Sequence, residues 1–220
     1  MGILPDVYLQ LVKIQIRNLN RFAETMEQFL TNERGELEKQ FAKDAEGLSE
    51  ILKQELFELR SDDISDFSVT FPTILRQTVF AKAYFNFEEL LVKLCKILQK
   101  NNNHKIGFSD LRGNGIVGAM MYITKVFNVE SPFQSQEWER IKSYNKIRNI
   151  IAHQNGRLSV EDQGKLKSEE KEIDKLEYIA VNDSYTIALE SPFCFKVLED
   201  MESFFKELIT ELANNHLLDN

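Results

Sequence analysis

The stretch Leu75-Arg76-Gln77-Thr78-Val79-Phe80-Ala81-Lys82-Ala83-Tyr84-Phe85-Asn86-Phe87-Glu88-Glu89-Leu90-Leu91-Val92-Lys93-Leu94-Cys95-Lys96-Ile97-Leu98 decides the fold class. Its apolar residues recur at spacings of three and four, which is a helical period and not strand alternation. A helix apolar nearly all round belongs at the centre of a bundle. Pro72 fits the first turn of this helix, where its missing N–H costs little. The helix is expected to run to about Lys100 and to end at Asn101-Asn102-Asn103.

Upstream, Leu19, Phe22, Met26, Phe29 and Leu30 mark an amphipathic helix over Leu9–Leu30. The pattern resumes with Leu37, Phe41, Leu48, Ile51, Leu52, Leu56 and Leu59, beyond Thr31-Asn32-Glu33-Arg34-Gly35. A hairpin and one long bent helix both fit. Ser61-Asp62-Asp63 is expected to be a loop, dividing residues 1–60, a pair of amphipathic helices for packing, dimerisation or a partner, from a helical domain over residues 61–220. Downstream, helices are expected from Gly115 to about Phe127 and from about Ser135 to His153. Leu158–Lys175 is charged and fits a helix continuation or a mobile loop. Tyr178–Val181 and Tyr185–Leu189 alternate around Asn182-Asp183-Ser184, the pattern of a short β-hairpin. Ser191-Pro192 then opens a last helix to about Ala213, with Phe195, Leu198, Met201, Phe204, Phe205 and Leu208 on its buried side. The expected architecture is all-α, a helical bundle with a small β-hairpin inserted before the last helix.

The 220 residues are 43% hydrophobic and 28% charged, enough to bury a core without metals or disulfides. With nine Gly and four Pro, the chain is neither a loop-rich sandwich nor a disordered tract. The longest uncharged apolar run, Gly113–Thr124, is too short to span a bilayer, so no membrane role is expected. Pro5 and Asp6 stand where a secretory signal would need a basic n-region, and Asp6 runs against the myristoylation pattern suggested by Met1-Gly2. Cys95 and Cys194 lie in apolar helical surroundings and read as reduced core thiols of a cytoplasmic protein. Neither His nor Cys spacing suggests zinc, and no cofactor or metal is expected.

The formal charge of −8 disfavours a bulk polyanion binder, but it is unevenly spread. Residues 137–157 set Arg140, Lys142, Lys146, Arg148 and Arg157 against Glu137 and Glu139, a net of +3. A locally positive segment attracts phosphate even in an acidic protein.

Gly113-Asn114-Gly115-Ile116-Val117-Gly118 matches the dinucleotide fingerprint G-x-G-x-x-G, yet a loop precedes it and no βαβ unit surrounds it. It reads as a flexible entry to a helix, with Gly118 allowing close packing. A nucleotide-binding sensor is the weaker alternative, with amides at this helix start holding one phosphate. His104 and His216 sit in polar surroundings and read as solvated. Glu88 and Glu89 point about 100° apart on a helix and so form no paired-carboxylate site.

The segment ending Arg148-Asn149-Ile150-Ile151-Ala152-His153 stands apart. Asn149 and His153 share a helix face. Arg148 is about 140° round the axis from His153, and only its length lets it reach the same cleft. A guanidinium clamps a phosphate bidentately, and a histidine moves a proton near neutral pH. Without a carboxylate cluster this is a metal-free phosphodiester kit, whose natural nucleophile is the 2′-hydroxyl of RNA. The structural alternative is that Arg148 pairs with a carboxylate and His153 favours the helix C-terminus as a cation.

Arg148-Asn149-Ile150-Ile151-Ala152-His153 resembles the R-x4–6-H signature of HEPN domains in its R-N-x-x-A-H form; type VI CRISPR effectors and many bacterial toxin and phage-defence ribonucleases carry similar motifs. The greasy helix over Phe85–Leu98 and the closing amphipathic helix agree, and the resemblance covers about Thr70–Leu212. It implies metal-independent endoribonuclease activity by 2′-hydroxyl attack, leaving 2′,3′-cyclic phosphate and 5′-hydroxyl ends. It also implies a toxin or anti-phage defence role, no cleavage of DNA, and a homodimer that joins two motifs. An antitoxin or regulatory protein would be its partner. On this resemblance Arg148 and His153 are the catalytic pair and Asn149 positions them; Lys146 is a phosphate contact on physical grounds alone. A subgroup controlled by nucleotidyltransferase antitoxins carries a modified Tyr two residues after the His. Here that residue is Asn155, so this control is not expected. Some HEPN domains are not nucleases, and the alternative function is a non-catalytic helical module that binds RNA or a partner protein.

Overall fold

Helix α3, Phe71–Asn101, lies at the centre of the molecule and packs against four other helices. The structure is a computed structural model and describes residues 5–159, 173 and 176–219. The other helices are α1 Pro5–Asp44, α2 Glu50–Ser65, α4 Gly115–Phe127, α5 Gln136–Gln154 and α6 Ser191–Asn214. Strands β1, Ile179–Val181, and β2, Ile187–Leu189, form an antiparallel hairpin between α5 and α6, with Ala180 opposite Ala188. The fold is all-α with one inserted hairpin, as the periodicities require. The charged tract expected as helix or loop lies mostly outside the described residues.

Helix α3 buries Phe80, Tyr84, Phe87, Leu91, Leu94 and Leu98 on one broad face. It is not covered all round. Phe71, Ile74 and Phe85 lie on an outer ridge and are exposed, Ile74 at 58% and Phe85 at 51%.

Helix α1 runs unbroken through Gly35. Its first half places Tyr8, Val12, Ile16 and Ala23 in the main core, with the Tyr8 hydroxyl donating to the Leu90 carbonyl. Arg76 of α3 donates bidentately to Glu27 of α1 at 2.7 and 2.9 Å and to the Leu189 carbonyl at 3.1 Å, tying α1, α3 and β2 together. The turn comes later, at residues 45–49, where Gly47 takes a φ of +75°. Past it, α2 returns along α1 with a Phe41–Phe57 edge contact and an Arg60–Asp44 ion pair.

Ser61-Asp62-Asp63 is helical, contrary to the expected loop. The carboxylates are solvated on the outer side, and the Ser61 hydroxyl donates to the Glu58 carbonyl within its own helix, so none of the three interrupts the ladder. The break in regularity is a π-helical turn at Asp66–Thr70. Pro72 stands two residues past its end; the ring crowds the carbonyl four residues back, that of Ser68 inside the turn, and a widened turn is a recurrent way to relieve that crowding.

The Gly113–Gly118 motif is the entry to α4: Gly113 and Asn114 precede the helix and Gly115–Gly118 form its first turn. A Cβ at Gly118 would stand 2.5 Å from the Gly113 carbonyl oxygen, and Gly113 has a φ of +120°. Close backbone contact explains these two glycines without a dinucleotide.

Candidate functional site

Helix α5 is positioned by both its ends and its buried face. The Ser135 hydroxyl accepts from the Trp138 amide at 3.2 Å, capping its start. Trp138, Ile141, Tyr144, Ile147 and Ile150 form the buried stripe, with Trp138 stacked on Phe204 of α6 at 5.0 Å. Asp200 of α6, 2% exposed, accepts from Arg140 at 2.7 and 2.9 Å and from the Tyr144 hydroxyl at 2.7 Å, with the Lys196 ammonium 3.1 Å away. Burial alone would raise the Asp200 carboxyl. The hydrogen bonds from Arg140, Tyr144 and Lys196 together outweigh it and hold the group below its ordinary value. Arg140, counted in the sequence as part of the basic window, is therefore committed to this buried cluster.

The C-terminus of α5 is also fixed. Asn155 closes it in the left-handed conformation at φ +50°, and the Gly156 amide returns to the Ile150 carbonyl at 3.1 Å. The next residues join the hairpin: the Ile187 amide donates to the Gly156 carbonyl at 2.8 Å and the Leu158 amide to Tyr185 at 2.7 Å. The last turn of α5, which carries the motif, is thus held from behind by β2.

Arg148 turns inward toward α3. Its guanidinium carbon lies 4.8 Å from the Tyr84 ring centroid and 5.6 Å from that of Phe85. Nη2 donates to Asn145 Oδ1 at 3.3 Å and stands 3.8 Å from Glu88 Oε2, while the buried Nε has no hydrogen-bond partner. The Tyr84 hydroxyl lies beside the guanidinium without meeting hydrogen-bond geometry. Burial pushes this phenol up to about 12, against the opposing pull of Arg148.

Glu88 bridges this group to α4. A Cβ on Gly115 would be 2.9 Å from Glu88 Oε2, so the carboxylate rests against the opening turn of α4, where the helix dipole favours an anion. The protein's own carboxylate thus stands at the helix start considered for a phosphate. Glu89, by contrast, is exposed and pairs with Lys93 at 2.7 Å.

His153 and Asn149 are exposed, and neither makes a side-chain hydrogen bond or ion pair among the described residues. No contact joins Arg148 to His153: within one chain the first faces α3 and the second faces solvent. Lys146 is half-buried and is not free. His104 Nδ1 accepts from the Ile106 amide and its ring meets Phe127, while His216 pairs with Asp219. Cys95 and Cys194 are buried free thiols, both pushed up to about 12 by burial. Among the described residues no three His, Cys, Asp or Glu side chains group as metal ligands, and no helix is long and apolar enough to cross a membrane.

Tyr84, Phe85 and Glu88, which shape the surroundings of Arg148, were not singled out as site residues by the sequence. The one signal was the acidic pair Glu88-Glu89 on the central helix. Two recesses flank the site. One, of about 440 Å³, lies between α3 and the last turn of α5 and is lined by Gln77, Thr78, Lys82, Phe85 and Ile151 among others. It shares Ile74 and Thr78 with a groove of about 430 Å³ lined by Phe22, Met26, Phe29, Phe67 and Phe71.

No protein-family model, curated protein or solved structure matches this chain.

Proposed function

We propose that this chain is a metal-independent endoribonuclease of HEPN type, acting in the cytoplasm as a toxin or anti-phage defence effector. One observation carries the reading: the contrast among three partly buried arginines. Arg76 and Arg140 are each neutralised by a bidentate carboxylate at hydrogen-bond distance. Arg148 is held by two ring faces, one amide oxygen and a carboxylate at 3.8 Å, and keeps donors unused. A cation placed by packing, and not by tight pairing, is preorganised to receive an anion.

In the proposed reaction the 2′-oxygen attacks the adjacent phosphorus and the P–O5′ bond breaks. The 2′-hydroxyl proton leaves to a histidine acting as base, and a protonated histidine supplies the proton to O5′. Arg148 stabilises the charge that builds on the non-bridging oxygens. Arg148 and His153 diverge within one chain, so the reading requires a homodimer in which each copy supplies an Arg and a His to one strand. The apolar groove over Phe22, Phe29, Phe71 and Ile74 is the surface assigned to the second copy, because it continues through Ile74 and Thr78 into the recess beside Arg148. Asn149 then orients the substrate, and Lys146 stays a secondary phosphate contact.

The test is cleavage of single-stranded RNA with and without EDTA, with analysis of the ends formed. Cleavage that survives chelation and leaves 2′,3′-cyclic phosphate, with DNA untouched, supports the reading. Absence of cleavage, or activity restored only by Mg²⁺, overturns it. The second reading, a non-catalytic module binding RNA or a partner protein, is favoured by the same groove, which has an almost wholly apolar lining and suits a protein surface.

A further inference from the structure

The recess between α3 and the last turn of α5 differs from the neighbouring groove in its chemistry. It is lined by the exposed Phe85 together with Gln77, Thr78 and Lys82, residues that bear an amide, a hydroxyl and an ammonium. It abuts the motif on both sides. Phe85 also lies under the Arg148 guanidinium at 5.6 Å, Ile151 is one helical turn beyond Arg148, and Gln77 Nε2 would be 3.5 Å from a Cβ on Gly156.

We propose that this recess receives an unpaired nucleobase of the RNA strand whose phosphate Arg148 holds, with Phe85 as the stacking platform. This rests on the ribonuclease reading and names a contact that selects single-stranded substrate. The ring is 51% exposed although it sits on the central helix of the bundle, so it offers a stacking face that a duplexed base could not reach. An aliphatic side chain would gain nothing from the amide, hydroxyl and ammonium around that face. A base has edges that both donate and accept, as the Gln77 amide does, and it carries a flanking phosphate within the range of a lysine such as Lys82. The adjacent groove over Phe22 and Phe29 has almost no polar lining and so suits a protein. The recess is shallow and open, which fits stacking without strong selection among the four bases.

The experiment uses the full-length chain and a short single-stranded RNA carrying one 2-aminopurine, moved position by position, with an abasic series in parallel. Binding is read by quenching of the 2-aminopurine on His153→Ala protein, which does not consume the probe. Cleavage is read on the wild type. Quenching is expected at one position beside the cut site, and an abasic nucleotide there is expected to raise KM by about ten- to a hundredfold. Phe85→Ala is expected to abolish the quench and to lower kcat/KM by more than the abasic nucleotide does, because the same ring also steadies Arg148, whereas Phe85→Trp keeps both. The abasic arm needs no protein variant, so a folding defect cannot imitate the result. Cleavage with no position-dependent quench and no abasic effect overturns the base site and leaves the nuclease standing. Quenching lost in Phe85→Ala, without cleavage by the wild type, supports the base site and overturns the nuclease. A Phe85→Ala protein that becomes monomeric and quenches as before shows the ring covered by a second copy, which also overturns the base site.

Discussion

Arg148 Nη2 stands 3.8 Å from Glu88 Oε2, too far for the tight charge-assisted hydrogen bond that either residue could make. Packing holds the guanidinium more than pairing does. Arg148→Ala therefore loses ring contacts worth about 0.5–2 kcal/mol and leaves Glu88 with solvent and the α4 turn for company. On the ribonuclease reading cleavage falls far more steeply, by roughly 10²–10³-fold, because the charge clamp is gone. Arg148→Lys is expected to melt near the wild type and still fail in cleavage, since a point charge cannot reproduce the planar fork. Melting curves and cleavage rates for both variants decide the matter. A large destabilisation with retained activity refutes the catalytic assignment.

His153 gives the cleaner separation. It is exposed and has no side-chain partner among the described residues, so His153→Ala is expected to cost at most about 1 kcal/mol at the helix end. The same change is expected to lower cleavage by about 10²–10⁴-fold. Unaltered cleavage by a normally folded His153→Ala protein leaves the binding-module reading as the better one.

On the ribonuclease reading, Glu88 competes with substrate phosphate for Arg148. Glu88→Gln keeps the shape and removes the charge, so RNA is expected to bind more tightly, by about two- to fivefold. The α4 start loses a favourable anion at a cost of about 0.3–1 kcal/mol. Glu89→Gln, on the solvated side with Lys93, is the control and is expected to change neither. Weaker binding in Glu88→Gln assigns Glu88 a supporting role in the site in place of competition.

Much of this site follows from local patterns, and the rest does not. The 3.6-residue period set out the helices, and Asn182-Asp183-Ser184 marked the hairpin, whose turn is closed by Asn182 Oδ1 accepting from the Ser184 and Thr186 amides. Ser61-Asp62-Asp63 misled because polar composition suggests a turn, while three solvated side chains fit a helix as well. The fate of each cation depends on a carboxylate distant in the chain. Arg140 meets Asp200 sixty residues later, and Arg148 meets Glu88 sixty residues earlier. No spacing rule separates these two cases. The exposure of Phe85 was equally hidden, because periodicity marks it as apolar without saying whether another element covers it.

The Asp200 cluster is structural and has its own pH signature. Asp200→Asn removes the buried carboxylate shared by Arg140, Tyr144 and Lys196 and leaves the two cations only their more exposed partners Glu137 and Glu199, at an expected cost of about 1–3 kcal/mol. The folded-state carboxyl titrates below its unfolded value of about 3.9, so its contribution is complete above that value and is lost as pH falls through the folded one. Urea midpoints of wild type and Asp200→Asn should therefore differ most near neutral pH and converge below about pH 4. A constant difference down to pH 3 contradicts this ion cluster as the source of the stability.

The dimer makes the strongest demand on the surface. Ile74 and Phe29 are exposed in the single chain, in a groove with almost no polar lining, so a charge at either position costs little if the groove faces water. If a second copy covers it, Ile74→Glu or Phe29→Glu buries two unpaired carboxylates across the two-fold axis, and the dimer is expected to weaken by at least a hundredfold. Mass measurement should then read a monomer with unchanged helical circular dichroism. Cleavage should disappear with the dimer, because one chain turns Arg148 toward α3 and His153 toward solvent. Mixing the Ile74→Glu protein into wild type should neither add to nor lower its activity, since the charged copy disfavours the heterodimer too. In contrast, His153→Ala mixed into wild type should lower activity beyond simple dilution, because each heterodimer keeps only one of the two histidines. A fully active monomer, or activity that His153→Ala lowers by dilution alone at dimer-forming concentrations, rules out a site shared between two chains.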